Sequence, residues 1–159
     1  MTIVPTIAPT IVPTINGALR KLPAWLIYVV AALWVVWAFY LAATGQTGPE
    51  PINTLERAYG AMGLKFLVAG LLVTPLRNWT GINLIKFRRA IGVTTFFLIV
   101  AHLMVWALLD VQSFSRVWSD IVKRKYVTVG MAAFVLMVPL AVTSNNLSIR
   151  KMGPLVWRK

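Results

Sequence analysis

Long apolar runs alternate with short polar segments along this chain. Four runs stand out, at residues 24–43, 58–76, 90–109 and 126–143. Each is close to the roughly 20 residues that an α-helix needs to cross a bilayer core of about 30 Å. The pattern therefore predicts an all-α fold, a polytopic transmembrane bundle of about four spanning helices in which short loops make sequential neighbours antiparallel.

The composition strengthens this prediction. Of the 159 residues, 58% are hydrophobic and only 13% are charged, which is more apolar surface than a water-soluble domain of this length can bury. Cysteine is absent, so disulfides and thiolate metal sites are excluded. The acids form no arrangement typical of a hydrolase. The lipid bilayer is the expected environment.

A different pattern occupies the start of the chain. The opening sequence MTIVPTIAPTIVPTIN repeats Thr-Ile-x-Pro, and closely spaced prolines disfavour a helix. The sequence predicts an extended Pro/Thr/Ile-rich tail over residues 1–21, followed by a transmembrane domain over residues 22–159.

The basic residues predict an orientation. Ten of the sixteen Lys and Arg residues lie before the first run, between the second and third, or after the fourth, whereas all four acids fall in the other half of the topology. By the positive-inside rule, both termini should be cytoplasmic in a bacterial inner membrane. The net charge of +12 comes mainly from short clusters of Lys and Arg between the apolar runs. This distribution is typical of a membrane protein, so nucleic acid is not an expected partner.

The single histidine, His102, lies inside the third run. An imidazole within a spanning helix is costly and usually functional, and histidine is a common axial ligand of haem iron. A neutral histidine bonded to a neighbouring helix explains the same position, and the residues alone leave both interpretations open. His102 should lie about 18 Å from the cytoplasmic end of its run and about 10 Å from the outer end.

Three groups of charges bear on a haem at this depth. Arg57 and Lys65 are candidates for binding its propionates, although Lys65 would snorkel to the interface equally well. Arg88 lies about 21 Å from His102 along the helix, too far for such contacts, and Arg88 and Arg89 are interpreted as positive-inside anchors.

Several segments resemble the MsrQ (formerly YedZ) family of haem-binding membrane subunits. They are LKFLVAGLLVTPLR (64–77), FRRAIGVTTFFLIVAHLMVWALLD (87–110), VKRKYVTVGMAAFVLMVPLAVTSNN (122–146) and IRKMG (149–153). The resemblance implies a ferric-reductase-like bundle with b-type haem and FMN. It implies electron transfer from a cytoplasmic donor or flavin reductase to a periplasmic, MsrP-like molybdopterin subunit that repairs methionine sulfoxide. It also implies that His102 is an axial ligand of the haem iron.

Two departures from the family pattern are visible. Arg57 stands where many members have a histidine, and the chain looks C-terminally truncated, because relatives continue into further helices. A second axial ligand would then come from Met62, Met104 or a second chain. The alternative function is a non-redox membrane interaction or assembly protein, or an inactive truncated family member.

Overall fold

The computed structural model describes residues 11–144, and every regular element in that range is helical. In chain order the elements are α1 (Ile11–Lys21), α2 (Trp25–Ala43), α3 (Pro51–Thr80), α4 (Ile85–Met104) with a π-helical continuation (Val105–Val111), α5 (Phe114–Lys123) and α6 (Lys125–Thr143). Residues 1–10 and 145–159, including the basic residues at the C-terminus used for the orientation, lie outside the described range.

Four of these helices are long and apolar enough to cross a membrane: α2, α3, α4 with its π-helical continuation, and α6. The prediction of an all-α bundle with four spanning helices is confirmed. Because successive spans run in opposite directions, the bundle has two ends. The α1 end carries α1 and the 81–84 loop, and the α5 end carries α5 and the 44–50 loop.

The third element is longer than its apolar run. The sequence predicts a helix over residues 58–76, whereas α3 extends from Pro51 to Thr80, about 45 Å at 1.5 Å per residue. Pro51 occupies the first helical position, where its missing N–H costs nothing. Gly81 ends the helix with φ 77°, a left-handed conformation that glycine adopts without a Cβ clash. Arg57 therefore lies inside α3.

The predicted extended tail is wrong for residues 11–21, which form α1. Pro13 is the third residue of this helix, within the first turn, where backbone N–H groups have no intrahelical acceptor and proline is tolerated. The Asn16 side chain donates to the Gly81 carbonyl at 3.1 Å and accepts from the Asn83 amide at 2.9 Å. Tertiary contacts with the 81–84 loop thus help to hold α1. The remainder of the predicted tail, residues 1–10, is outside the described range.

The most extensive helix contact joins α3 to α4. Its largest fully buried side chains are Val73 and Leu98, each only 1% exposed. Gly63 and Gly70 allow the two backbones to approach, since a Cβ at either position would lie 3.3 Å from an isoleucine carbon of α4. Small residues at helix interfaces are typical of membrane bundles, where close van der Waals packing drives association.

Candidate functional site

His102 lies near the C-terminal end of α4, in the half of the bundle toward the α5 end, and its ring contacts α3. Its Nδ1 atom donates a hydrogen bond to the backbone carbonyl oxygen of Glu56 at 2.9 Å. A carbonyl oxygen only accepts, so this bond requires the proton on Nδ1. In the neutral imidazole Nε2 then carries the lone pair, and it has no hydrogen-bond partner within residues 11–144. This tautomer is the one that metal-ligating histidines use when they bind through Nε2.

The part of α3 that carries the Glu56 carbonyl is held on its other side by α2. Tyr59 is only 3% exposed, and its hydroxyl donates to the Val35 carbonyl of α2 at 2.7 Å. The Tyr59 ring also contacts the Trp34 ring, with centroids 5.9 Å apart. The adjacent Gly60 faces His102. Contacts with α2 therefore set the rotation of α3 that presents the Glu56 carbonyl to the imidazole.

A cavity of about 560 Å³ opens beside His102, between α3, α4 with its π-helical continuation, and α6. This volume is within the range of about 300–1,000 Å³ typical of ligand sites. The walls are mainly apolar and aromatic: Leu67, Ile99, Leu103, Trp106, Val127, Met131, Ala133, Phe134 and Met137. Phe134 of α6 stacks on Phe96 of α4, with centroids 5.7 Å apart and an interplanar angle of 6°, which joins the far wall to α4.

Charged groups gather at the α5 end of this cavity. Glu56, Arg57, Asp110 and Arg124 all contribute to its lining. Arg124 pairs with Asp120 at 3.4 Å and donates to the Tyr126 hydroxyl at 3.2 Å. That hydrogen bond and the Asp120 carboxylate both raise the pKa of the Arg124 guanidinium, so it stays charged. Arg57 forms neither a hydrogen bond nor an ion pair with any described residue, and is available to a ligand.

The predicted site residues separate into two groups. His102 and Arg57 line the same cavity, whereas Lys65 is exposed on α3 and does not contribute to the lining. Met62 and Met104, considered as sulfur ligands, also lie outside it, and Met104 is 57% exposed. Two methionines of α6, Met131 and Met137, do line the cavity. Nothing in the sequence distinguishes these two methionines, because their contact with the cavity depends on which face α6 turns toward α4.

The π-helical segment changes the predicted wall of the site. In a regular α-helix the residues three, four or seven positions from His102 share its face: Thr95, Ile99, Val105, Trp106 and Leu109. Only Ile99 and Trp106 line its cavity, whereas Val105 is buried with Leu55 and Tyr59, and Leu109 packs against that cluster. The π-helix starts three residues after His102, and its i→i+5 bonding shifts the register of every later residue. Such segments are frequent at functional sites.

A second cavity of about 800 Å³ lies toward the α1 end of the bundle. It shares Leu67 and Met137 with the first, so the two spaces adjoin along the groove between α3 and α6. Arg88 and Arg89 both contribute to its lining. Their interpretation as positive-inside anchors does not include this contact with the cavity.

Fold and site together define a class: a polytopic membrane protein in which two adjoining cavities lie between helices, one of them lined by an oriented imidazole. The chain belongs to the family described as ferric reductase like transmembrane component, whose model matches residues 57–159.

The chain is also similar to curated proteins named protein-methionine-sulfoxide reductase heme-binding subunit MsrQ, from Brucella ovis, Brucella canis and Brucella suis. Each is 46% identical over 130 residues, covering 81% of this chain and 59% of the relative. The resemblance to MsrQ is thereby confirmed, and the chain spans about three fifths of the length of these relatives. No solved structure matches the chain significantly.

Proposed function

We propose that this chain is a haem-binding membrane subunit that transfers electrons, with His102 as an axial ligand of a b-type haem iron. The observation that carries the proposal is the hydrogen bond from His102 Nδ1 to the Glu56 carbonyl, at 2.9 Å. It orients the ring and leaves Nε2 as the ligand atom. A carbonyl that accepts from the other ring nitrogen also raises the basicity of the ligating nitrogen.

The other residues around the cavity suit a porphyrin. Its apolar and aromatic wall excludes water from a flat hydrophobic ligand, and Arg57 offers a guanidinium that binds carboxylates in bidentate fashion. Within residues 11–144 no group of three His, Cys, Asp or Glu side chains is close enough to hold a metal ion, so iron at His102 would need further ligands such as porphyrin nitrogens. Bound haem supplies reversible one-electron chemistry, which the axial ligand and the surrounding polarity tune.

The proposed acceptor is a periplasmic methionine sulfoxide reductase catalytic subunit, similar to the molybdopterin protein MsrP. The names of the Brucella relatives, which describe them as heme-binding subunits of a protein-methionine-sulfoxide reductase, support a partner that acts on methionine sulfoxide. The position of His102 supports it as well, because the imidazole lies in the half of the bundle toward the α5 end. A haem there is close to a partner on that side, and short distances favour electron transfer.

The second cavity suits a donor on the opposite side. We propose that FMN, implied by the family resemblance, binds in the 800 Å³ cavity with its phosphate near Arg88 and Arg89. Arginine pairs favour phosphate because their planar N–H groups match its oxygens. A cytoplasmic donor or flavin reductase would then deliver electrons at the α1 end.

This direction of transfer requires a defined orientation. The α1 end should be cytoplasmic and the α5 end periplasmic in the bacterial inner membrane, in line with the excess of Lys and Arg on the α1 side. A reporter active only in the periplasm should be inactive when fused after Ser144 and active when inserted after Gly48. The opposite pattern would overturn the orientation.

The spectrum of the detergent-solubilised protein tests haem ligation. Wild type, purified with haem and reduced with dithionite, should give the visible bands of b-type haem. His102→Ala should lose these bands, because the oriented ligand is gone, and His102→Met should retain a weaker, shifted spectrum. Met104→Ala is the matched control, since Met104 lies two residues away on the same helix and outside the cavity.

Two outcomes would contradict the proposal. Wild type that takes up no haem would favour the alternative of a non-redox membrane interaction or assembly protein. Haem retained at the wild-type level and spectrum by a folded His102→Ala protein would mean that the iron ligands lie elsewhere.

A further inference from the structure

Gly60 is the closest part of α3 to the His102 ring. A Cβ atom added to Gly60 would lie 3.2 Å from both Cε1 and Nδ1 of the imidazole, and 3.7 Å from Cγ. Carbon atoms at ordinary van der Waals contact are about 3.5–4.0 Å apart. Any side chain at position 60 would therefore push the ring away from α3.

The position of Gly60 along α3 makes this contact specific to the hydrogen bond. Gly60 is four residues after Glu56, so in an α-helix its N–H group bonds the Glu56 carbonyl, the same oxygen that accepts from His102 Nδ1 at 2.9 Å. A carbonyl oxygen has two lone pairs and accommodates both donors. Here the imidazole reaches the Glu56 carbonyl past position 60, where a Cβ atom would lie in close contact with the ring.

We infer that Gly60 is a positioning residue for His102: its missing side chain lets Nδ1 bond the Glu56 carbonyl and so fixes both the tautomer and the direction of Nε2. This inference rests on the proposed haem ligation by His102. The inference adds a requirement on α3, whose backbone forms the surface against which the His102 ring is oriented. Glycine is a poor helix former, so its use in the middle of α3 carries a cost that this contact offsets.

Gly63 provides a matched control on the same face of α3. A Cβ at Gly63 would lie 3.3 Å from Ile99 Cγ1 and 3.7 Å from Leu98 Cβ, a similar crowding against the same helix, but against no imidazole atom. Gly63→Ala therefore measures the general effect of widening the α3–α4 contact. The difference between Gly60→Ala and Gly63→Ala measures the effect on the histidine.

The experiment compares full-length wild type, Gly60→Ala, Gly63→Ala and His102→Ala, each loaded with haem under the same conditions. Gly60→Ala should bind haem at least about tenfold more weakly than Gly63→Ala, the loss expected when a partner of a ligating histidine is removed. The haem that stays bound should have a higher reduction potential, because a less basic imidazole stabilises the ferric state less. Imidazole in the buffer should raise haem retention in Gly60→Ala toward that of Gly63→Ala, since an untethered ring can supply the ligand that a displaced His102 no longer presents.

Three results separate the possibilities. Equal haem affinity and potential in Gly60→Ala and Gly63→Ala, with haem lost in His102→Ala, would overturn the role of Gly60 and leave the proposed function standing. A Gly60→Ala protein that loses haem and does not respond to imidazole would overturn it too, because Gly60 would then be a packing residue only. Haem retained by folded His102→Ala would instead overturn the ligand assignment itself.

Discussion

The two sides of α4 differ sharply in how they pack. On one side, α3 lies close against it, with Val73 and Leu98 almost completely buried and glycines at the points of closest approach. On the other side, α6 has no buried residue along Lys125–Thr143, and cavities lie between it and α3. The Phe96–Phe134 stack is the aromatic contact between α4 and α6 within the described chain.

This difference separates two requirements of a cofactor site. A ligating imidazole must be held in one orientation, and the close α3–α4 contact holds the His102 ring in one orientation through the Glu56 carbonyl. A bulky ligand needs space, which the open α3–α6 side provides. In lipid the exposed apolar face of α6 carries no penalty, because the acyl chains are as apolar as its side chains.

Stability should respond very differently to leucine truncation on the two sides. Leu98→Ala, at the α3–α4 contact, should lower the free energy of unfolding by about 2 kcal/mol. This value is at the low end of the range for leucine truncation in a packed core, because lipid solvates the apolar side chains of the separated helices. Leu136→Ala, on α6, should change it by less than about 0.5 kcal/mol, as Leu136 is 70% exposed. Unfolding in mixed micelles measures both. Equal losses would mean that α6 is packed as tightly as α3.

The two basic residues of α3 should differ in haem retention. Arg57→Met removes a guanidinium that lines the cavity, and we expect haem to bind about three- to fivefold more weakly, a loss in the range of a partly solvated ion pair. Lys65→Met should leave haem affinity and melting temperature unchanged, since Lys65 is exposed and outside the lining. Haem titration of both variants tests this. A larger effect from Lys65→Met would place the propionates elsewhere.

The smallest expected effect concerns α1. The Lys86 ammonium donates to the carbonyls of Arg20 and Leu22 at 2.9 and 2.7 Å, at the C-terminal end of this helix. Lys86→Met should accelerate amide hydrogen exchange in α1 a few-fold and leave haem binding unaltered, because exposed hydrogen bonds contribute little net free energy. Lys21→Met is the control, since Lys21 bonds no other described residue. Unchanged exchange in Lys86→Met would mean that other contacts hold α1.

The four spans and the central residue of the candidate site, His102, are predictable from the sequence. His102 is conspicuous because a titratable group among apolar residues costs free energy and is usually functional. Arg57 and Lys65 are candidates because their depth in the membrane is close to that of His102. Depth is a one-dimensional quantity, so it cannot tell a side chain that faces a cavity from one that faces lipid. Arg57 lines the cavity, whereas Lys65, eight residues along the same helix, does not. Depth alone does not separate these two residues.

The helix boundaries show the same limit. The second predicted spanning helix begins at residue 58 because charges end an apolar run, yet α3 begins at Pro51, where backbone hydrogen bonding and not hydropathy sets the start. The N-terminal prolines predicted an extended chain, but only Pro13 falls within α1, and it occupies a turn that tolerates it. The spacing of the prolines indicates a local preference for an extended chain. Contacts with the 81–84 loop help to stabilise residues 11–21 as a helix instead.

The amino-acid sequence by itself determined that the chain lies in a membrane, that it crosses about four times, and that one imidazole lies deep within the third span. Those properties follow from hydropathy and length, which are sums over neighbouring residues. The tertiary structure decided the tautomer of His102, the partner carbonyl on Glu56, the cavity beside it, and the close approach of Gly60 to its ring. Each of these depends on which faces of two helices meet, and that relation between distant segments is set by packing in three dimensions.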